Sequence, residues 1–263
     1  MCGIFGLALN NAVSIMEVFR VLENLEAHQY PQEPRPVGGY GAGVAVVKPD
    51  GSVVLEKVGR ISLSPVKSLE ELVKGKFDEA RVLVGHVRMP SPEFMATAKY
   101  RETAQPYIVE LTPGRTVVSV HNGKVENYRD LRAKLGPAHV FESEKYELID
   151  SEVIPHYFKE LLNEKEDVNE ALGELFNLLQ GSNAVSMFQI EEEVAYLHFI
   201  HKGMTRGLTV WKNDKGEVIF CSRKEPLTEG FRMILERGKF KEKISIPYRE
   251  EKGFKATFSL KMI

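Results

Sequence analysis

The chain has 263 residues, 43% hydrophobic and 27% charged, with a formal net charge of -2 and two cysteines, Cys2 and Cys221. That balance suits a globular protein with a substantial core, offers no basic surface for nucleic acid or an anionic membrane, and contains no apolar run near the roughly 20 residues that span a bilayer. Two cysteines do not build a secreted disulfide scaffold, and without a basic leader at the N-terminus a reducing cytoplasm fits better.

Residues 3–9 are an apolar run readable as a buried strand. Ser14 and Glu17 have capping-box spacing, and Ile15, Val18, Phe19, Leu22 and Leu25 then recur with helical period. The Pro- and Gly-rich stretch 30–43 predicts a long loop, and such loops are often functional; its glycine-rich part, 38–43, is a candidate lid. Strands are expected at 43–47 and 52–58 around the turn Pro49-Asp50-Gly51, then a helix over 66–73. A strand over 81–87 ends in Gly85-His86-Val87-Arg88, and 89–106 reads as irregular. Residues 116–120 form a strand running into His121-Asn122-Gly123. Helices follow at 128–135, closed by Gly136-Pro137, and at 151–162 and 168–179. From residue 183 the pattern turns to strands, at 184–190, 194–200, 208–211 and 218–221. A helix near 230–236 and strands near 241–248 and 254–260 finish the chain. Strands grouped early and late, with helices between, favour α+β layers with antiparallel sheets over a doubly wound parallel sheet. With no repeat or linker composition, residues 1–263 read as a single domain. His198 and His201 are close but lack metal-ligand spacing, so no metal site is expected.

Cys2 carries the first chemical signal. An initiator Met followed by a small residue is normally trimmed, which would leave Cys2 with both a thiol and a free α-amine. The amine, with a reference pKa of about 7.7–8.0, can act as base for the thiol. The bland alternative is a small buried hydrophobe at an accidental position.

Four further segments stand beside Met1-Cys2-Gly3-Ile4-Phe5-Gly6: Gly85-His86-Val87-Arg88, Ala104-Gln105-Pro106-Tyr107, the run from His121 to Tyr128, and Asp150-Ser151-Glu152-Val153-Ile154. Their order and spacing resemble the class II glutamine amidotransferases, N-terminal nucleophile hydrolases that release ammonia from glutamine. The motifs cover about residues 2–162. The resemblance implies a four-layer αββα sandwich of two antiparallel sheets flanked by helices, with glutamine as substrate and no cofactor. It implies that Cys2 is the nucleophile and that Asn122 and Gly123 form the oxyanion hole. Arg88 would clamp the substrate α-carboxylate with its planar fork, and Asp150 would hold the α-ammonium. Outside the resemblance, Asn122-Gly123 reads as a hairpin turn, Arg88 as an exposed strand-end residue, and Asp150 as a helix N-cap. His86 and His121 receive no catalytic role and are expected to be hydrogen-bonded strand residues. Gln105-Pro106 is expected to shape the pocket loop.

Two departures matter. After the clamp arginine the chain reads Arg88-Met89-Pro90-Ser91, so Ser91 replaces the usual Thr as the hydroxyl near the substrate carboxylate; this form is closer to the glutamate synthase branch. Lys124 replaces the usual acidic residue after Asn-Gly and should lie at the surface. No synthase domain is visible in 263 residues. The expected partner is therefore a separate ammonia-accepting synthase subunit, a glutamate synthase being the natural candidate, and a homo-oligomer is compatible with the sequence. The alternatives are a hydrolase of another γ-glutamyl amide and a catalytically silent regulatory subunit.

Overall fold

The computed structural model describes residues 2–48, 50–112, 115–165, 167–191 and 194–261. Met1, and with it the expected trimming, lies outside the described residues, as does Pro49 of the first turn. The chain builds β1 (Gly3–Ser14), α1 (Ile15–Ala27), β2 (Gly41–Val47), β3 (Val53–Gly59), α2 (Pro65–Val73) and β4 (Glu79–Val87). After two short 3-10 turns come β5 (Tyr107–Thr112), β6 (Arg115–Gly123), α3 (Tyr128–Lys134), α4 (Val153–Glu164) and α5 (Val168–Leu178). The last part holds β7 (Asn183–Glu191), β8 (Val194–Lys202), β9 (Leu208–Lys212), β10 (Val218–Cys221), α6 (Lys224–Gly230), α7 (Arg232–Arg237), β11 (Lys241–Ile246) and β12 (Phe254–Lys261).

The strands form a seven-stranded sheet, ordered β11-β9-β10-β1-β4-β2-β3, and a five-stranded sheet, ordered β12-β8-β7-β6-β5. Every named strand pairing is antiparallel. Three apolar layers show why the two sheets stack between helices. Ile4, Ala8, Ala45, Val82, Val84, Val118, Val120, Phe188 and Leu197 fill the space between the sheets. Phe5, Leu7, Val44 and Leu83 turn the other way, onto Phe19 and Leu22 of α1, Leu69 of α2 and Leu227 of α6. Val117, Val185 and Met187 pack against Leu131 of α3, Phe158 of α4 and Leu175 of α5. This is the expected αββα sandwich. Its central strands are covered on both faces, so β2 and the first half of β1 read in sequence as apolar runs rather than alternating ones, while β7 buries Ser186 and Gln189 among its apolar residues.

Local chemistry agrees in most places. Ser14 caps α1, but its hydroxyl accepts from Met16 N at 3.3 Å, a shorter reach than a capping box makes. Asp50 Oδ1 accepts from Ser52 N at 2.9 Å, which closes the β2–β3 turn. Two elements are new. β5 follows directly on the irregular segment 89–106, where no strand is expected, and α6 precedes the expected helix near residue 230. Among the described residues no helix is long and apolar enough to cross a membrane.

Candidate active site

Cys2 stands at the head of β1, between β4 and β10. Gly3 pairs with Val87, so Arg88, which follows β4, flanks Cys2 on one side. On the other side β10 ends at Cys221, and Ser222 ties back to β1 through its N–H to Ile4 O (2.8 Å) and its hydroxyl from Ile4 N (3.1 Å). The Cys2 thiol is half-buried. Its Sγ accepts from Met89 N at 3.3 Å and lies 3.5 Å from Met89 O. A cavity of about 500 Å³ opens at this thiol, and Arg88, Ser91, Gly123 and Asp150 also line it.

Arg88 is buried, not an exposed strand end. Its Nη1 donates to Thr103 Oγ1 (2.7 Å) and Thr97 O (3.3 Å), and its Nη2 donates to Thr97 Oγ1 (2.8 Å). These bonds fix the plane of the fork and leave N–H groups on Nη2 and Nε for a carboxylate. Burial lowers the Arg88 pKa from its ordinary value. Ser91 lines the cavity, but its hydroxyl is turned to Glu93 Oε1 at 3.3 Å, and the hydroxyls that touch the arginine belong to Thr97 and Thr103.

Asn122 and Gly123 are the last residues of β6, paired with Ala184 and Asn183 of β7, and so form strand rather than a hairpin turn. Lys124 N donates to Ser182 O at 2.9 Å. In an antiparallel ladder alternate residues face alternate neighbours, so the N–H of Gly123 points away from β7. On that side β5 has already ended, and Gln105 stands in for it: His121 N donates to Gln105 Oε1 (2.6 Å) and Gln105 Nε2 donates to His121 O (3.1 Å). The Gly123 N–H is the next donor along this edge. A Cβ on Gly123 would lie 2.1 Å from Ser182 O, so only glycine fits. The Asn122 side chain is fully buried, and neither its Oδ1 nor its Nδ2 finds a partner among the described residues. Its alternation with Val118 and Val120 turns it toward the other sheet, the side on which Cys2 and Arg88 continue the alternation of Ile4 and Val84.

Asp150 is no N-cap of α4. It opens a 3-10 turn ahead of that helix, and its Oδ2 accepts from Val125 N at 2.9 Å. Burial pushes its carboxyl up to about 6. Lys124 is partly exposed, as expected, but it also borders the cavity, where its Nζ lies 3.0 Å from Glu93 Oε1.

His121 is locked in one state. Asn183 Nδ2 donates to Gln180 O and Gly181 O (3.1 and 3.0 Å), which leaves its Oδ1 to accept from His121 Nε2 at 3.0 Å. Nδ1 is then bare and accepts from Ser151 Oγ at 2.9 Å. Burial lowers the His121 pKa to about 4, so the ring is neutral near pH 7. His86 corrects the sequence reading. Both its ring nitrogens lack a well-formed hydrogen bond among the described residues, and burial holds its pKa well below the ordinary histidine value. The expected lid is corrected as well. Gly41 and Gly43 belong to β2, inside the large sheet, and a Cβ on Gly43 would sit 2.2 Å from Gln105 O. Pro34 and Arg35 are the part of the 30–43 stretch that reaches the cavity.

Sequence reasoning missed the far wall. Glu33 is buried between Arg206 and Arg223; Arg206 lines the cavity with Tyr248 and Arg249. These residues come from four separate segments with no shared motif, so only the fold assembles them.

A family model described as a glutamine amidotransferase domain matches residues 94–229. The glutamine–fructose-6-phosphate aminotransferase of Staphylococcus aureus is 28% identical over 194 residues, covering 73% of this chain and 28% of that protein. The same enzyme of Aeropyrum pernix is 28% identical over 252 residues, covering 91% of this chain and 35% of that protein. The chain thus spans about a third of the length of these curated relatives. The solved structure of glutamine phosphoribosylpyrophosphate amidotransferase from B. subtilis covers 100% of this chain with 49% of its own, at 15% identity and a TM-score of 0.62, which speaks for the fold.

Proposed function

The chain belongs to the class II glutamine amidotransferases, and on that footing we propose that residues 1–263 act as one glutaminase domain with Cys2 as its nucleophile. The observation that carries this reading is the convergence of the Cys2 thiol, the Arg88 fork, the Asp150 carboxylate and Gly123 on one cavity. Arg88 binds the glutamine α-carboxylate, and Asp150, ionised above pH 6 or so, binds the α-ammonium. With Met1 removed, the α-amine of Cys2 takes the thiol proton as Sγ attacks the side-chain amide carbon. The oxyanion falls to Asn122 Nδ2 and Gly123 N–H; one such donor is typically worth about 2.7–4 kcal/mol. The C–N bond breaks, the ammonia leaves with the proton from the α-amine, and water hydrolyses the Cys2 thioester to glutamate. The histidines take no part: His121 is held neutral with both nitrogens engaged.

The ammonia passes to a synthase partner on a separate chain, in a reducing cytoplasm. The Arg88-Met89-Pro90-Ser91 run keeps a glutamate synthase as candidate, while the relatives named above point to fructose 6-phosphate as another acceptor. Ammonia release from glutamine, assayed with wild type and Cys2→Ala, tests the reaction. Wild-type release lost in the variant is expected; equal release from both would refute it. Co-purification that yields only a homo-oligomer would count against the separate partner. A second reading, hydrolysis of a larger γ-glutamyl amide, is favoured by the cationic far wall.

A further inference from the structure

Two arginines share one carboxylate on the flank of Cys2 opposite Arg88. Glu33 Oε1 accepts from Arg223 Nη2 and lies 3.1 Å from Arg206 Nη1, a pair whose angle makes no hydrogen bond. Its other oxygen is occupied, since Tyr30 N donates to Oε2 at 2.9 Å. Arg206 is 4% exposed and Arg223 1%. The Nε and Nη1 atoms of both are buried without an acceptor among the described residues. Tyr30 and Tyr248 close over Arg223 at 4.1 and 4.8 Å, so rings rather than water cover it, and the single Glu33 carboxylate is left to offset both arginines. Buried cations with idle donors are costly, and such an excess calls for an anion. Arg206 opens onto the cavity that holds Cys2, Arg223 lies buried behind it, and Arg249 adds a second cation to that wall.

The placement across the sheet fixes which anion. Cys2 heads the central strand of the order β10-β1-β4. Arg88 follows β4, and Arg223 follows β10. A substrate carbonyl seated on Cys2 thus has a cationic pole on each side. With the glutamyl α-carboxylate on Arg88, the group reaching the other pole is attached to the departing nitrogen. Free glutamine, whose departing group is neutral ammonia, leaves that pole empty.

We propose that Arg206, backed by the buried Arg223 and braced by Glu33, forms a second anion subsite that takes a carboxylate on the leaving amine, so that the preferred substrate is a γ-glutamyl amino acid. The inference rests on the reading of Cys2 as nucleophile and deepens it. Cys2 Sγ bonds to the γ-carbonyl carbon, and the C–N bond breaks. The amino acid departs with the proton taken from the thiol, and water cleaves the thioester to release glutamate and restore the thiol. No further reactant is needed.

The test compares γ-glutamylglycine with γ-glutamylmethylamide, its neutral counterpart, and with glutamine. Binding is read by calorimetry on Cys2→Ala, and kcat/KM on wild type. Cys2→Ala should bind γ-glutamylglycine at least about tenfold more tightly than the methylamide, the scale of one charge-assisted contact. Arg206→Gln in the same background should erase that ratio, and Arg206→Lys should restore part of it. Equal binding of the two amides overturns the subsite, whatever Arg206→Gln does to folding. If Cys2→Ala shows the preference but wild type cleaves nothing, the nucleophile reading fails and the subsite stands. If wild type cleaves both amides equally and Cys2→Ala binds them equally, the reverse holds.

Discussion

Replacing Asp150 by Asn should make the protein more stable and less active, and the two effects should share one pH dependence. Burial raises the Asp150 carboxyl from 3.8 to about 6, against the pull of its hydrogen bonds from Val125 and Ser151. The gap corresponds to about 3 kcal/mol of disfavoured ionisation. The sign follows from proton linkage. Between pH 4 and 6 the folded state keeps a proton that the unfolded chain has lost, so this group makes stability fall with rising pH, by up to about 1.4 kcal/mol per pH unit, and then level off. Asp150→Asn removes the penalty, and the carbonyl of the new amide can still accept from Val125 N. Urea unfolding of both proteins should show little difference near pH 3.5 and a gain for the variant approaching about 3 kcal/mol at pH 8. Glu152, raised to about 7 by burial, titrates in the same range, but it is common to both proteins and cancels in the difference. At pH 8 the kcat/KM for glutamine should fall by about 10-fold to 100-fold, from loss of a charge-assisted bond to the α-ammonium. A stability difference that does not change with pH, or undiminished kcat/KM, would refute the reasoning.

Asn122→Ala should lower kcat by about 10²–10³-fold while leaving urea stability unchanged or higher, because the amide it removes is buried and unpartnered; a loss of stability with normal kcat would reverse its assignment. Gly43→Ala places a Cβ 2.2 Å from Gln105 O, and should cost about 1–3 kcal/mol in thermal or urea unfolding. It should also weaken turnover, because Gln105 carries both hydrogen bonds to the His121 backbone; unchanged activity would show that the cavity does not depend on this contact.

The sequence made the layers legible because both faces of β1 and β2 are covered, which leaves long apolar runs between clear turns. β5 escaped notice because Tyr107–Thr112 alternates buried and exposed residues directly after a proline, so it reads as the end of a loop. The cavity was legible where chemistry is local. Cys2, Arg88, Asn122, Gly123 and Asp150 each sit at the edge of an element, and the fold gathers them at one end of the sandwich, Asn122 buried just behind the cavity wall. What supports them was not legible. Thr97 and Thr103 hold Arg88 from an irregular stretch without periodicity. Arg206 and Arg223 meet Glu33 across more than 170 residues of chain, and nothing in the spacing marks them as partners.

The most direct test of the central claim is the intact mass of the purified protein before and after treatment with a diazoketone analogue of glutamine, followed by peptide mapping. The account predicts a protein lacking Met1 that gains one adduct, on the sulfur of Cys2, with glutamine protecting against it. An active protein that retains Met1, or an adduct on Cys221 with Cys2 untouched, would contradict it.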